Sequence, residues 1–368
     1  MFRALLILAF CAATLFASED VSKRSKSFSY RREELPQGPW SIHVVKIDRS
    51  STNVELQSTL PSGHQIGFAK LSQQIKALPP QFGRPVAAIN GDYYETDAPY
   101  KGDPQGLQIL RGELVSAPCD WTCFWLDPAG KPTMGKVDAK FDATLPSGER
   151  FAFGLNERRD DDEAVIYTAA IGPTTLTRGG TEIVIEQSGS KPWLPLRASE
   201  DYFGRVAEVK SGGDSATATN KLVLSIGPKL TGKLKMPDVG DIVRITTATK
   251  PSLKGVQMAI GGGPAILRGG KFVVKNEPRV RHPRSAIGWN DQFIFLVEVD
   301  GRQPDLSVGM TWEELGNYMA KIGCKEAMGF DGGGSATMWV GGQVMNNPSE
   351  GGERGMANCL VLLSKDQH

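Results

Sequence analysis

Short runs of alternating apolar and polar residues recur along the chain from Trp40 onwards, and Gly, Pro, Asn and Asp separate them. Alternation with a period of two predicts strands with one buried face, and the separating residues favour tight turns. The clearest runs are residues 41–47, 182–186, 221–225 and 241–245. Residues 293–299 are apolar enough for a strand buried on both faces, and the clearest helical pattern covers residues 311–322, with Thr311 as candidate N-cap. The sequence therefore predicts an α+β fold: a single sheet-rich domain with mixed or antiparallel strands and few helices.

The charge balance argues against two broad classes of function. The chain of 368 residues carries 42 Lys and Arg against 41 Asp and Glu, a formal net charge of +1. Generic nucleic-acid binders and polybasic membrane-surface proteins depend on a large positive field. We therefore expect no nucleic-acid partner. The 42 glycines indicate many tight turns and close backbone approaches in an enzyme or binding domain.

Residues 1–17 have the layout of a secretory signal peptide, with one Arg, an apolar run and a small residue before Ser18. We predict cleavage after Ala17 and a secreted or periplasmic protein. No later stretch approaches 18 consecutive apolar residues, so no membrane span is expected. The polar residues 18–39 are predicted to be a flexible lead-in, and residues 40–365 to form the domain.

Four cysteines remain after the predicted cleavage, and an even number in an exported protein favours disulfides. Cys119 and Cys123 are close enough in sequence to pair. That pairing would leave Cys324 with Cys359, but the sequence leaves all three connectivities open. A structural zinc site is not expected, because the four histidines have neither the helical nor the knuckle spacing of zinc ligands.

Three glycine-rich segments are candidates for binding or catalysis. The first, residues 86–94, is an apolar run that ends at Asn90, Asp92 and Tyr93. Polar and aromatic groups at a strand end often line a pocket, and the alternative is a simple hairpin turn at Asn90. The second, residues 259–264, lacks the phosphate-loop and dinucleotide-binding patterns, so a structural turn is at least as consistent as a ligand loop.

The third segment has three consecutive glycines, residues 332–334, which can expose several backbone N–H groups in one anion-binding nest. Asp331 at its mouth can act as acid, base or nucleophile, and Ser335 offers a hydroxyl group. Arg281 and Arg284 precede a predicted strand and are natural partners of phosphate or carboxylate groups. The alternatives are a glycine-rich hairpin and two solvated arginines.

Several short motifs follow one another along the chain: Asn90-Gly91, residues 261–264, residues 282–288, residues 300–303, residues 331–335, residues 347–349 and Glu353-Arg354. In this order they resemble the phosphodiester glycosidase family, from about residue 40 to residue 363, most specifically around Arg284 and Asp331. The resemblance implies hydrolysis of a sugar-1-phosphodiester, as by the catalytic domain of N-acetylglucosamine-1-phosphodiester alpha-N-acetylglucosaminidase, the uncovering enzyme. It implies a carbohydrate or glycosyl-phosphate substrate, and bacterial relatives are often described as exopolysaccharide-related.

The chemistry that this resemblance implies suits the residues. The leaving group is a phosphate monoester with a second pKa of about 6, so cations and N–H donors matter more than a strong general acid. Asp331 is the first candidate for stabilising the oxocarbenium-like centre or activating water, and Asp92 is the second. No cofactor and no catalytic metal are required. The predicted substrate-binding residues are Asn90, Gly91, Tyr93, Arg281, Arg284, Gly332, Gly333, Gly334, Ser335, Asn347 and Arg354.

Two other functions remain open from the sequence. A serine hydrolase would use Ser335 with His282 or His43, but the surrounding residues lack the last glycine of the nucleophile-elbow motif. A non-catalytic polysaccharide-binding or assembly protein would bind sugar faces with aromatic side chains. The candidates for such stacking are Tyr93, Tyr94, Trp121 and Trp125.

Overall fold

The computed structural model describes residues 27–190, 193–275 and 278–365. The helices in these ranges are α1 (Leu71–Ala77), α2 (Pro228–Thr231) and α3 (Trp312–Lys321), with 3₁₀ turns at Pro80–Phe82, Ala169–Ile171 and Gly333–Ser335. The strands are β1 (Phe28–Leu35), β2 (Trp40–Asp48), β3 (Val54–Ser58), β4 (Ala69–Lys70), β5 (Arg84–Asn90), β6 (Gln108–Leu110), β7 (Glu113–Ser116), β8 (Cys123–Leu126), β9 (Pro132–Gly135), β10 (Asp138–Thr144), β11 (Arg150–Ala152), β12 (Gly154–Leu155), β13 (Ala164–Tyr167), β14 (Thr181–Gln187), β15 (Asp201–Ser211), β16 (Lys221–Ile226), β17 (Ile242–Lys250), β18 (Met258–Gly261), β19 (Ala265–Arg268), β20 (Lys271–Phe272), β21 (Arg284–Trp289), β22 (Phe293–Val299), β23 (Glu326–Gly329), β24 (Met338–Val340), β25 (Gln343–Val344), β26 (Gly355–Met356) and β27 (Cys359–Ser364).

The strands pair into four larger sheets and one two-stranded sheet. A seven-stranded sheet has the order β1-β2-β22-β21-β23-β19-β20, and an eight-stranded sheet has the order β11-β10-β17-β15-β14-β16-β13-β12. Two five-stranded sheets have the orders β7-β6-β18-β8-β9 and β25-β24-β5-β27-β3, and β26 pairs with β4. Neighbouring strands are antiparallel, except for the parallel pair β12–β13. The predicted α+β class with antiparallel and mixed strands and few helices is confirmed.

The seven-stranded sheet is covered on both faces, as the apolar run in β22 predicts. Ile294 and Leu296 pack into a cluster shared with the sheet of β5, which contributes Ile89. Phe295 and Val297 point to the opposite face and pack against α3. Alternate residues of β22 therefore enter two different cores, which is why the run is apolar throughout.

Helix α3 begins and ends where the sequence predicts. The Thr311 hydroxyl accepts a hydrogen bond from the Glu314 amide at 3.1 Å, and the Glu314 carboxylate accepts one from the Thr311 amide at 2.9 Å. This reciprocal capping box satisfies two amides that the first turn would otherwise leave unpaired. The helix ends before Gly323, whose φ of +101° is in the left-handed region that favours glycine.

The predicted flexible lead-in is wrong for Phe28–Leu35, which form β1 and pair along their whole length with β2. This strand lies at the edge of the seven-stranded sheet and has a largely polar sequence, with Arg31 and Glu33 forming an ion pair. Tyr30 is its buried residue. One buried side chain gives too weak an alternation for the strand to be read from the sequence. Residues 18–26 and the predicted signal peptide lie outside the described residues.

The predicted disulfides are not found. Cys119, Cys123, Cys324 and Cys359 are free thiols in the structure. Cys324 packs against α3, whereas Cys359 packs in a separate cluster beside α1, so the two are not partners. None of the helices in the described ranges is both long and apolar enough to cross a membrane.

Candidate functional site

Strand ends from three sheets meet at one place in the molecule. Asp92 follows β5, and Asp331 follows β23. The Asp331 amide donates to the Gly91 carbonyl at 3.0 Å, and the Gly263 amide beyond β18 donates to the Gly329 carbonyl at 2.8 Å. The two candidate carboxylates therefore lie on adjacent loops, although 239 positions separate them in sequence.

The side chain of Asn90, at the end of β5, connects these loops by hydrogen bonds. Its side chain is fully buried and donates to the Asp331 carbonyl at 2.7 Å. Its side-chain oxygen accepts from the Ser285 hydroxyl at 2.6 Å and from the Thr337 amide at 3.1 Å. The Asn90 side chain therefore links the Asp331 loop to Ser285 of β21.

Asp92 is buried in a cradle of backbone amides. Its carboxylate accepts from the Tyr93 amide at 2.8 Å and from the Gly106 amide at 2.7 Å. A Cβ on Gly261 would lie 2.2 Å from the same carboxylate, so the end of β18 must be glycine to make room for it. Burial raises the pKa of Asp92 to about 7, against the effect of the two amides, and the nearby charge of Asp331 raises it further.

Asp331 is more accessible than Asp92 and faces a cation. One carboxylate oxygen accepts from the Gly332 amide at 2.8 Å, and the other lies 3.7 Å from Nη2 of Arg354. The same guanidinium nitrogen donates to the Ser335 hydroxyl at 2.9 Å. Burial raises the pKa of Asp331, whereas the Ser335 hydroxyl, the Arg354 charge and the Gly332 amide oppose the shift. The two carboxyl groups therefore differ in their surroundings: Asp331 has a cationic neighbour and Asp92 is held by amides.

The glycine loop is held in place by the protein itself. The Gly332 amide is engaged by Asp331, and the Gly333 amide donates to the Pro283 carbonyl at 3.0 Å. Gly333 has a φ of +59°, and a Cβ there would lie 2.8 Å from Arg302. In this conformation the Gly332 amide is engaged within the loop, and the Gly333 amide fixes the loop against the start of β21.

Three arginines surround this loop. Arg284, at the start of β21, donates to the carbonyls of Met310 and Val280 at 2.9 and 3.1 Å, and it stacks 3.9 Å above the Trp312 ring. The other two are Arg354 beside Asp331 and Arg302 beside Gly333. The loop that carries Asp331 is therefore bordered by three arginines and by the acidic Glu350, which lies 3.4 Å from Arg354.

A cavity of about 950 Å³ opens beside the site. Arg284, Trp312, Tyr93 and Trp121 contribute to its wall. Tyr93 and Trp121 meet edge to face at 4.9 Å, and Trp121 is 44% exposed, so the pair offers an aromatic surface to a ligand. The other two predicted stacking residues, Tyr94 and Trp125, are buried in the core and do not line this cavity.

Two predicted binding residues lie elsewhere. Arg281 forms an ion pair with Glu314 at the start of α3 and is not part of the cavity wall. Asn347 braces a neighbouring turn, because its amide donates to Asp300 at 2.7 Å and its side chain donates to Gln303 at 2.5 Å. The structure brings together the remaining predicted residues: Asn90, Gly91, Asp92, Tyr93, Arg284, Asp331, Gly332, Gly333, Gly334, Ser335 and Arg354.

Sequence reasoning missed several residues that hold the site. The Asn358 side chain accepts from the Asp92 amide at 2.8 Å, and Gly106 supplies an amide to the Asp92 carboxylate. Trp312 stacks under Arg284. None of these three has a local signal, since each acts on a residue far away in sequence. Arg302, by contrast, lies in the motif at residues 300–303, so the sequence does contain a local signal for it.

The geometry does not support a serine hydrolase. Ser335 is fully buried, and its hydroxyl contacts Arg354 and Asp331. His282 lies 3.4 Å from Arg302, and His43 contacts Asp300. In the ranges that the structure describes, no hydrogen bond joins Ser335 to a histidine.

A family comparison agrees with the motifs. Residues 203–363 match the phosphodiester glycosidase family. The match covers Arg284, Asp331 and Arg354, and it confirms the resemblance that the sequence motifs indicate. Asn90 and Asp92 precede the matched residues in sequence, and the fold brings them next to Asp331.

Individual relatives are more distant. The SPbeta prophage-derived protein YomE of Bacillus subtilis (strain 168) is 38% identical over 88 residues, which are 24% of this chain and 14% of that protein. A solved structure of a Synechocystis protein has a TM-score of 0.71 at 18% identity, over 93% of this chain and 63% of that one. A Burkholderia pseudomallei K96243 protein, whose name proposes export, has a TM-score of 0.68 at 20% identity. The match covers 89% of this chain and 74% of that one. The chain thus spans about one seventh of YomE and less than two thirds of the Synechocystis chain, and the solved structures share its fold.

Proposed function

We propose that this protein is an exported hydrolase that cleaves the glycosidic bond of a sugar-1-phosphodiester, such as a GlcNAc-1-phosphodiester. The products are a free sugar and a phosphate monoester. The observation that carries the proposal is the pairing of a mostly buried carboxylate, Asp331, with the charge of Arg354 at a loop that Arg284 and Arg302 also border. The apolar leader of the sequence supports export.

The arrangement suits a reaction in which two opposite charges develop. The sugar carbon becomes positive in the transition state, and a carboxylate beside it stabilises that charge. The leaving phosphate carries negative charge, which nearby guanidinium groups stabilise. We assign the first role to Asp331 and the second to Arg284, and the charge of Arg354 favours the ionised form of Asp331 against the effect of burial.

Replacing Arg284 by alanine is expected to separate the two roles. Turnover of a sugar-1-phosphodiester should fall by about 10²–10³-fold, the usual effect of losing one charge-stabilising donor. Turnover of the same sugar with an activated neutral leaving group should fall far less, because no phosphate develops charge there. Rates on the two substrates measure this ratio.

Arg281→Ala is the matched control, since this neighbouring arginine is paired with Glu314 outside the cavity wall. Both substrates should react with it at close to the wild-type rate. Equal losses on the two substrates in Arg284→Ala would contradict the phosphate role.

The exposed pair of Tyr93 and Trp121 favours a second candidate, a non-catalytic polysaccharide-binding protein. A screen of the purified protein against sugar-1-phosphodiesters, reading released sugar, separates the two functions. Release of sugar supports the hydrolase. Binding of polysaccharide without turnover of any phosphodiester supports the binding protein.

A further inference from the structure

A buried cluster of three metal-ligating side chains lies behind the candidate site. His43 on β2 is directly opposite Glu298 on β22, and Asp300 follows the end of β22. All three side chains are at most 1% exposed. One ligand atom of each lies within 4.8 Å of the other two, and Nε2 of His43 is 3.3 Å from Oδ2 of Asp300.

One carboxylate oxygen in this cluster has no partner. Oε1 of Glu298 accepts from the Asn346 side chain at 3.1 Å, and Oδ1 of Asp300 accepts from the Asn347 amide at 2.7 Å. Oε2 of Glu298 is buried and has no hydrogen bond to any of the residues that the structure describes. Within the described parts of the chain, the one ion pair formed by either carboxylate is that of Asp300 with His43. Two buried, ionised carboxylates with so little positive charge are strongly unfavourable unless one of them binds a proton or a cation joins them.

We propose that His43, Glu298 and Asp300 bind a divalent metal ion of the class that takes mixed nitrogen and oxygen ligands, Zn²⁺ or Mn²⁺. Two carboxylates neutralise the charge of such an ion, and imidazole suits it. For Zn²⁺, metal–ligand bonds of about 2.0–2.2 Å place ligands roughly 3.3–3.6 Å apart at tetrahedral angles. The separation of 3.3 Å between His43 and Asp300 fits that geometry.

The surroundings of His43 suit a metal ligand. The Tyr30 hydroxyl lies 2.8 Å from Nδ1 of His43. When Nδ1 carries the proton and donates to Tyr30, the Nε2 lone pair points into the cluster, as in most metal-bound histidines. The Ser41 hydroxyl lies 3.5 Å from Nε2 and accepts from Arg32 at 3.3 Å, so it is the fourth polar group at this position.

The metal would brace the loops of the candidate site without touching substrate. Asn346, which donates to Glu298, also donates to the Ala336 carbonyl in the loop after Asp331. Asn347, which donates to Asp300, also holds Gln303. The role is structural and does not depend on the proposed reaction. The spacing of these residues in the sequence could not predict the site. The pairing of β2 with β22 brings the ligands together, whereas the recognisable metal motifs place their ligands on one helix or in one zinc finger.

Metal analysis of the purified full chain tests the site directly. We expect about one Zn²⁺ or Mn²⁺ per chain by elemental analysis after dialysis, as for a closed structural site. Chelation should lower the Tm, and addition of the metal alone should restore it. Glu298→Gln, which removes one ligand charge, should lose the metal and the response of the Tm. Asp92→Asn should keep both, since Asp92 belongs to the other carboxylate site.

Two results would overturn the proposal. One is a folded wild-type chain that holds no metal and whose Tm does not change on addition of either ion. The other is metal that Glu298→Gln retains and Asp92→Asn loses, which would place it at the candidate site. Should Glu298→Gln fail to fold, Tyr30→Phe provides the second variant. It removes only the hydroxyl that orients His43, and we expect it to fold and to bind the metal about 10–100-fold more weakly; unchanged affinity would count against the site.

Discussion

Asp331→Asn is expected to lower turnover of a sugar-1-phosphodiester by about 10²–10³-fold, the usual effect of losing one group that stabilises charge in the transition state. Asparagine keeps the shape of the side chain and can still accept from the Gly332 amide. It removes the charge that faces Arg354 and that stabilises the positive sugar carbon. Because this charge acts on the sugar and not on the phosphate, a neutral activated glycoside should lose turnover as well. Single-turnover rates on both substrates measure the loss.

Ser335→Ala is the control for this prediction. It removes a hydroxyl that contacts both Asp331 and Arg354 but leaves the carboxylate in place. We expect a loss of no more than about 10-fold, as for one hydrogen bond of about 1 kcal/mol. If Asp331→Asn retains activity within a few-fold of the wild type, Asp331 is only a turn residue and Asp92 becomes the candidate.

Asp92→Asn is expected to flatten the pH dependence of stability between about pH 4 and pH 7. The pKa of Asp92 is about 7 in the folded protein against an ordinary value of 3.8, because burial disfavours its charged form. Between these values the folded chain holds a proton that the unfolded chain has lost. The folded state then binds more protons, so rising pH destabilises it, by up to about 4 kcal/mol across this window.

The measurement is the difference in unfolding free energy between wild type and Asp92→Asn, taken by urea titration at several pH values. As the pH rises from about 4 to about 7, the unfolding free energy of the wild type should fall relative to that of Asp92→Asn. Below about pH 4 the difference between the two should be constant. Glu157→Gln is a matched control, because burial also raises the pKa of Glu157 to about 7. It should flatten the profile in the same way while leaving turnover unchanged. A difference between wild type and Asp92→Asn that does not vary with pH would contradict the raised pKa.

The features that the sequence predicted are those with local causes. The N-cap of α3 at Thr311 is indicated by the four consecutive residues 311–314, and the two-faced burial of β22 follows from a continuous apolar run. The motif around Asp331 is likewise contiguous. Each of these could be recognised because the residues that interact, or that share an environment, are neighbours in the chain.

The features that it missed depend on contacts between distant segments. Asn358 holds Asp92 across 266 positions, and Trp312 stacks under Arg284 only because α3 packs on the sheet. Arg281 was predicted to bind substrate because it precedes a strand together with Arg284, but Glu314 of α3 engages it instead. Both arginines contact α3, Arg284 through Trp312 and Arg281 through Glu314, and residue type and spacing cannot reveal which of the two faces the cavity.

The most direct test of the proposed reaction is to hydrolyse a sugar-1-phosphodiester in water enriched in the heavy isotope of oxygen. The mass of the released phosphomonoester is then measured by mass spectrometry. Cleavage of the bond between the sugar carbon and oxygen leaves that oxygen on the phosphate, so the phosphomonoester should contain no heavy isotope. Asp331→Asn under the same conditions should release almost none. Heavy oxygen in the phosphomonoester would mean attack at phosphorus, and it would contradict the assignment of Asp331 to the sugar carbon.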